Sequence, residues 1–164
     1  MIQRIEINPR DLKYFFDYKT TEMCKSCKRY NTKQTCPPNV SSLEYYKNLL
    51  PVYECGAIFY DTFKCSDKSK WKEIGTESSL IIHTSLLKER EVLFNLGHYY
   101  INCFGAGSCK LCKECSVPCR QPDKAIIPLE ATGINVVKLM KSYGVDINFP
   151  ITDSLYRIGV ILYD

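Results

Sequence analysis

Residues 109–122, CKLCKECSVPCRQP, place four cysteines at spacings of two, two and three residues. A cysteine thiolate is a metal ligand, and cysteines two residues apart can close on one centre through a turn. The spacing C-x2-C-x2-C-x3-C is typical of bacterial iron–sulfur loops, in which the chain wraps a cube of iron and sulfide. Arg120 departs from that pattern, because those loops carry proline after the last cysteine. The candidate ligands in this second cysteine loop are Cys109, Cys112, Cys115 and Cys119.

A first cysteine loop lies nearer the N-terminus, within residues 21–40. Its three cysteines follow the pattern C-x2-C-x8-C-P, and the closing Cys-Pro resembles the end of an iron–sulfur loop. The candidate ligands in the first cysteine loop are Cys24, Cys27 and Cys36. Zinc is the alternative metal, although zinc sites typically combine two cysteine pairs separated by a dozen or more residues. Disulfides and unligated core cysteines are the remaining alternatives.

The two loops together supply seven thiols, whereas two [4Fe-4S] clusters use eight protein ligands when every iron is bound. In the ferredoxin arrangement the last cysteine of each loop binds the other cluster, which would exchange Cys36 and Cys119 between the clusters. Without that exchange, the first cysteine loop holds its cluster with three thiols. A single cluster, with the other cysteines structural, is the simplest alternative.

In both two-cluster arrangements one iron lacks a cysteine from the loops. Either that iron is open to a small ligand, or a residue elsewhere in the chain binds it. The residues considered for this position are Cys55, Cys65, Cys103, His83 and His98. Cys55 and Cys65 lie in or near an apolar strand, where free cysteine favours core packing. Both histidines have structural alternatives, and Arg120 is interpreted as pairing with a carboxylate such as Glu130 rather than binding an anion.

The composition predicts one globular domain over residues 1–164. Hydrophobic residues make up 45% and charged residues 24% of the chain, which are ordinary values for a globular protein. The N-terminus has no signal-peptide core, and no run of about eighteen apolar residues occurs, so we expect no membrane span and a cytoplasmic location. Thiols stay reduced there, and clustered cysteines then indicate metal or redox chemistry. The cations beside the cysteines are expected to offset thiolate charge, and the net charge of +4 requires no nucleic-acid partner.

The elements that position the two loops alternate between strands and helices. Strands are predicted over residues 3–7, 53–63, 98–104 and 156–163. Helices are predicted over residues 11–18, 41–50, about 77–96 and 128–143, the second one capped by Ser41 and Glu44 and the last one ended by Gly144. This order favours an α/β or α+β fold, with a small central sheet flanked by helices and two cysteine loops that form the iron–sulfur site.

The chain also resembles a known family. CKSCKRYNTKQTCPP in the first cysteine loop, GAGSCKLCKECSVPCRQP in the second and the IPLEATGI segment after it are similar to the domain-of-unknown-function family labelled predicted metal-binding protein, of anaerobic bacteria and archaea. The resemblance extends from about residue 20 to 145, and implies metal binding by the same seven cysteines in an anaerobe. Asn31 stands where members often have glycine, and Ser108 stands where proline is usual. Neither change removes a ligand, and the label implies no particular reaction.

These observations predict an iron–sulfur protein with one or two [4Fe-4S] clusters, a role in electron transfer or redox-linked metabolism, and a redox partner protein. A second hypothesis is an enzyme whose open iron activates a small-molecule substrate, for example in sulfur transfer, desulfuration or a dehydratase-like step. A third is a zinc-stabilised interaction module. The sequence does not indicate an oligomeric state.

Overall fold

The computed structural model describes residues 1–148 and 152–164. A five-stranded mixed sheet lies at the centre, with its strands in the order β1-β2-β5-β3-β4. These strands are β1 (Gln3–Ile7), β2 (Cys55–Lys64), β3 (Ile101–Gly105), β4 (Ile127–Pro128) and β5 (Ser154–Tyr163). Neighbouring strands are antiparallel except β3 and β4, which are parallel. The fold is therefore α+β, one of the two classes that the sequence predicts.

Different helices cover the two faces of the sheet. The helices are α1 (Tyr18–Lys25), α2 (Leu43–Leu49), α3 (Trp71–Asn95) and α4 (Val136–Ser142). Side chains of successive strand residues point to opposite faces, so Ala57 and Phe59 pack in the cluster that contains Ile82 of α3, whereas Ile58 packs in the cluster that contains Leu139 of α4. Within the described residues, no helix is long and apolar enough to cross a membrane.

Most predicted elements are present, but several boundaries differ. The helix predicted over residues 11–18 is replaced by a 3-10 helix, Pro9–Tyr14, followed by α1. The helix predicted from about residue 77 begins at Trp71. Its first two turns carry Gly75 and no buried residue before Ser78, so they lack the apolar periodicity on which the prediction depended. The cap of α2 is Ser42 rather than Ser41, since the Ser42 hydroxyl accepts a hydrogen bond from the Tyr45 amide.

The helix predicted from Pro128 to the residue before Gly144 is interrupted. Pro128 ends β4, a 3-10 helix follows at Leu129–Thr132, and α4 begins only at Val136. The break occurs at Gly133, whose φ of 95° lies in the left-handed region that favours glycine. A Cβ atom at this position would lie 2.5 Å from Cδ1 of Leu43, so the close approach of α2 also requires glycine.

Replacing Gly133 with alanine should therefore lower the free energy of unfolding by roughly 3 kcal/mol, because it combines left-handed backbone strain with steric overlap. The matched control is Gly144→Ala, since Gly144 has a φ of 80° but nothing within 4 Å of the added Cβ. That control should cost only about 1 kcal/mol. Urea unfolding of the two variants measures the difference, and equal losses would show that the contact with Leu43 is unimportant.

Candidate metal centre

The seven candidate cysteines line two cavities, one for each cysteine loop. The first cavity is lined by Cys24, Cys27 and Cys36. The second cavity is lined by Cys109, Cys112, Cys115 and Cys119. Cysteines of one loop do not line the cavity of the other. This is the grouping expected when the loops keep their own last cysteines.

Helix α1 and a series of tight turns position the thiols of the first cavity. Cys24 lies in the last turn of α1, and the Cys27 amide donates to the Cys24 carbonyl over 3.1 Å. The Cys27 Sγ in turn accepts a hydrogen bond of 3.4 Å from the Arg29 amide. Asn31 has a φ of 56°, and its amide donates to the Pro37 carbonyl. Asparagine tolerates this left-handed conformation better than other non-glycine residues, so the turn forms here without glycine.

The second cysteine loop connects two neighbouring parallel strands, β3 and β4. Hydrogen bonds from its own side chains hold the loop together. The side-chain amide of Gln121 donates to the Cys112 Sγ over 3.3 Å and to the Leu111 carbonyl over 3.4 Å. Arg120 donates to the Glu114 carbonyl over 2.5 Å. The structural role expected for Arg120 is thus present, but its partner is a backbone carbonyl of the same loop and not the Glu130 carboxylate.

The two cavities share a wall that is one residue thick. Thr35 lines the second cavity and the next residue, Cys36, lines the first. Ser108 likewise lines the first cavity and the next residue, Cys109, lines the second. Consecutive Cα atoms are only about 3.8 Å apart, so the cavities are direct neighbours. A hydrogen bond of 3.4 Å from the Gln34 amide to the Cys115 Sγ joins the two loops.

Burial and cations act in opposite directions on these thiols. Burial, followed by the Glu130 carboxylate, raises the pKa of Cys24 to about 11. Burial also raises the pKa of Cys36 and of Cys109, and the Lys33 ammonium partly offsets this rise at both thiols. Lys33 is itself only 9% exposed. Because metals bind the thiolate, the buried Lys33, which lines the second cavity, favours the form of cysteine that binds metal.

None of the five residues considered for the remaining ligand position lines either cavity. Cys65 is buried beside β2, and burial raises the pKa of Cys103 to about 12 where its thiol faces the Leu86 carbonyl of α3. The His83 Nε2 donates to the Lys124 carbonyl over 2.6 Å, which makes it a satisfied core histidine. Cys55 begins β2, and His98 lies beside the Asp164 carboxylate with 3.6 Å between Nδ1 and Oδ1.

Glu130 is the residue at this site that the sequence analysis did not consider as a ligand. It lies in the 3-10 helix Leu129–Thr132 and lines the first cavity together with the three thiols. Its Oε2 is buried and has no hydrogen-bond partner among the described residues. Burial raises the pKa of this carboxyl, and a hydrogen bond from its own backbone amide, followed by the positive charge of Arg157, partly offsets that rise. Glu130 is the glutamate of the IPLEATGI segment, and the family resemblance includes that segment. This was the feature of the sequence that could have indicated a role for Glu130.

The donor chemistry of both cavities fits a group that binds thiolates. All ten cysteines are free thiols, and amide N–H groups donate to the Sγ atoms of Cys27, Cys112 and Cys115. Over residues 1–148 and 152–164, no three histidine, cysteine, aspartate or glutamate side chains are grouped so that they could hold one metal ion. The thiols surround two cavities rather than meeting at a point.

A family profile described as "Predicted metal-binding protein" (DUF2284) matches residues 6–163. The chain is a DUF2284 protein. The match includes both cysteine loops and Glu130, and it confirms the resemblance found in the sequence. Neither the comparison with curated proteins nor the comparison with solved structures found a match. The DUF2284 description indicates metal binding but does not identify the metal.

Proposed function

We propose that this DUF2284 protein holds two [4Fe-4S] clusters, one in each cavity, and serves as a redox protein that transfers electrons. The observation that supports this function best is the shared wall, because consecutive residues line the two cavities at Thr35–Cys36 and at Ser108–Cys109. Redox centres in the two cavities would be close neighbours, with Gln34 and Cys115 hydrogen-bonded between them.

The distribution of the thiols supports clusters rather than single zinc ions. Four ligands of a zinc ion lie about 2.3 Å from one point when they are thiolates. In a cubane cluster each thiolate binds a different iron, so the sulfur atoms surround a larger body. The second cavity offers four thiols, the full set for one cluster, from a loop with the spacing of bacterial iron–sulfur loops.

Exposure of one cysteine in each cavity supports exchange of electrons with a partner protein. Cys27 in the first cavity and Cys115 in the second are both exposed, so each proposed cluster has a short path to the surface. The amide donors to the sulfur atoms would adjust the reduction potentials. A cytoplasmic location in an anaerobe belongs to this proposal, because a reducing compartment keeps clustered thiols free.

An enzyme with an open iron is the second candidate function. The first cavity favours it, because three thiols line it whereas four line the second. One iron of a cluster in the first cavity would then lack a thiolate and could bind a small molecule. This candidate predicts that a small thiol, sulfide or cyanide shifts the electron paramagnetic resonance of the reduced protein.

The test of electron transfer between neighbouring clusters is electron paramagnetic resonance after anaerobic purification and reduction with dithionite. Two reduced clusters separated by one residue layer should give broad, split signals caused by their magnetic interaction. Cys36→Ala, which removes a thiol of the first cavity only, should reduce these signals to one simple spectrum. Two independent simple spectra in the unaltered protein would contradict the shared-wall arrangement.

A further inference from the structure

Three thiols and one carboxylate line the first cavity, whereas four thiols line the second. The sequence provides seven thiols for the eight ligand positions of two complete clusters. The position without a thiol therefore falls in the cavity that contains Glu130. No other aspartate, glutamate or histidine lines this cavity among the described residues.

The backbone fixes Glu130 relative to the helix that carries Cys24. The Gly133 amide donates to the Glu130 carbonyl over 3.0 Å, and the Gly133 carbonyl accepts a hydrogen bond of 2.9 Å from the Asp17 amide. Asp17 is the cap of α1, and the Asn135 amide donates to the Phe15 carbonyl just before it. The carboxylate and the Cys24 thiol are thus held by two segments that are bonded to each other.

One oxygen of the buried Glu130 carboxylate, Oε2, lacks a hydrogen-bond partner among the described residues. A buried polar atom without a hydrogen bond costs about 1–3 kcal/mol, and more when it is charged, so native structures retain such atoms for a reason. Arg157 is the neighbouring cation, but its Nε donates to the Ser78 hydroxyl over 2.9 Å and its Nη2 donates to the Gly75 carbonyl over 3.0 Å. A carboxylate oxygen without a hydrogen-bond partner, on a residue that lines the cavity with the three thiols, has the chemistry of a metal ligand.

We propose that Glu130 is the fourth protein ligand of the cluster in the first cavity, completing the set formed by its three cysteines. This inference rests on the proposed function, since it requires a cluster in that cavity. A carboxylate is a harder ligand than a thiolate, so the iron bound by Glu130 differs from the three irons bound by thiolates. The first cavity would then hold one distinct iron, and the second cavity four equivalent thiolate positions.

The first test compares Glu130→Ala with Glu114→Ala, a control that removes an exposed carboxylate of the second cysteine loop. Ferricyanide accepts one electron from a [4Fe-4S]²⁺ cluster that releases Fe²⁺, which leaves a [3Fe-4S]⁺ cluster. One equivalent of ferricyanide should convert the cluster in the first cavity of Glu130→Ala to the [3Fe-4S]⁺ form, with loss of about one of eight irons. The control variant and the unaltered protein should keep all their iron. Glu130→Cys should restore full retention of iron. Equal retention in all four proteins would overturn the proposal.

A second measurement is made on the unaltered protein, with one conservative variant for assignment. Pulsed electron paramagnetic resonance of the reduced, unaltered protein grown with ¹³C-labelled glutamate should detect coupling between the cluster and a carboxylate carbon, and Glu130→Gln should lose it. Clusters without this coupling would overturn the role of Glu130 and leave the iron open, as the second candidate function requires. A protein without acid-labile sulfide would instead overturn the proposed function itself, so the two failures are distinguishable.

Discussion

Replacing both Cys112 and Cys115 with alanine should leave only two thiols in the second cavity, empty it and lower the iron content from about eight to about four atoms per chain. Cys112 lines only the second cavity, where its Sγ accepts the hydrogen bond from Gln121. Cys36→Ala should cause an equal loss from the first cavity. Iron analysis of anaerobically purified variants measures both effects. The control is Cys55→Ala, which removes a thiol outside both cavities and should retain all the iron.

The triple variant Cys36→Ala, Cys112→Ala, Cys115→Ala decides between the two ligand pairings. If each loop keeps its own cysteines, each cluster is left with two thiols and the triple variant loses nearly all iron. If the last cysteines are exchanged as in ferredoxins, all three thiols belong to one cluster, and the triple variant keeps about four irons on Cys24, Cys27 and Cys119. Retention of that second cluster would contradict the loop-by-loop arrangement of the cavities.

Removal of the metal should expose both cysteine loops to protease. The segments between α1 and α2 and between β3 and β4 contain turns but no helix or strand. Their folded conformation therefore depends on contacts within the loops and on bound metal. A ligand at a hundred times its dissociation constant stabilises the bound form by about 2.7 kcal/mol. Trypsin cleavage in the loops should therefore accelerate on the order of a hundredfold after anaerobic chelation.

The loops provide several trypsin sites for this measurement. They are Lys28, Arg29 and Lys33 in the first loop, and Lys110, Lys113, Arg120 and Lys124 in the second. The internal control is Arg90, which lies within α3 and should be cleaved at the same slow rate before and after chelation. Mass spectrometry of timed digests separates the sites. Equal loop cleavage in the two states would show that metal does not hold the loops.

Local patterns predicted the sheet and the cysteine loops because both depend on neighbours in sequence. The apolar runs that form β2 and β5 pair with each other over their whole length in the sheet. The metal-ligand spacing of the second loop is equally local. The shared wall was not predictable from local patterns. It requires Thr35–Cys36 and Ser108–Cys109, which are far apart in the chain, to line the same two cavities through the packing of the two loops.

Glu130 was missed because its local structure was predicted incorrectly. In the continuous helix predicted from Pro128, Glu130 would lie in the first turn, where an acidic residue is common and needs no ligand role. The structure instead ends β4 at Pro128 and turns the chain at Gly133 against Leu43. That turn places Glu130 in the lining of the first cavity, and the contact of Gly133 with α2 fixes the position of the turn.

The measurement that tests the central claim most directly is the content of iron, acid-labile sulfide and zinc in protein purified without oxygen. Two [4Fe-4S] clusters predict about eight irons and about eight sulfides per chain, with no stoichiometric zinc. Stoichiometric zinc without acid-labile sulfide would contradict the account, because the cysteines would then hold single tetrahedral ions.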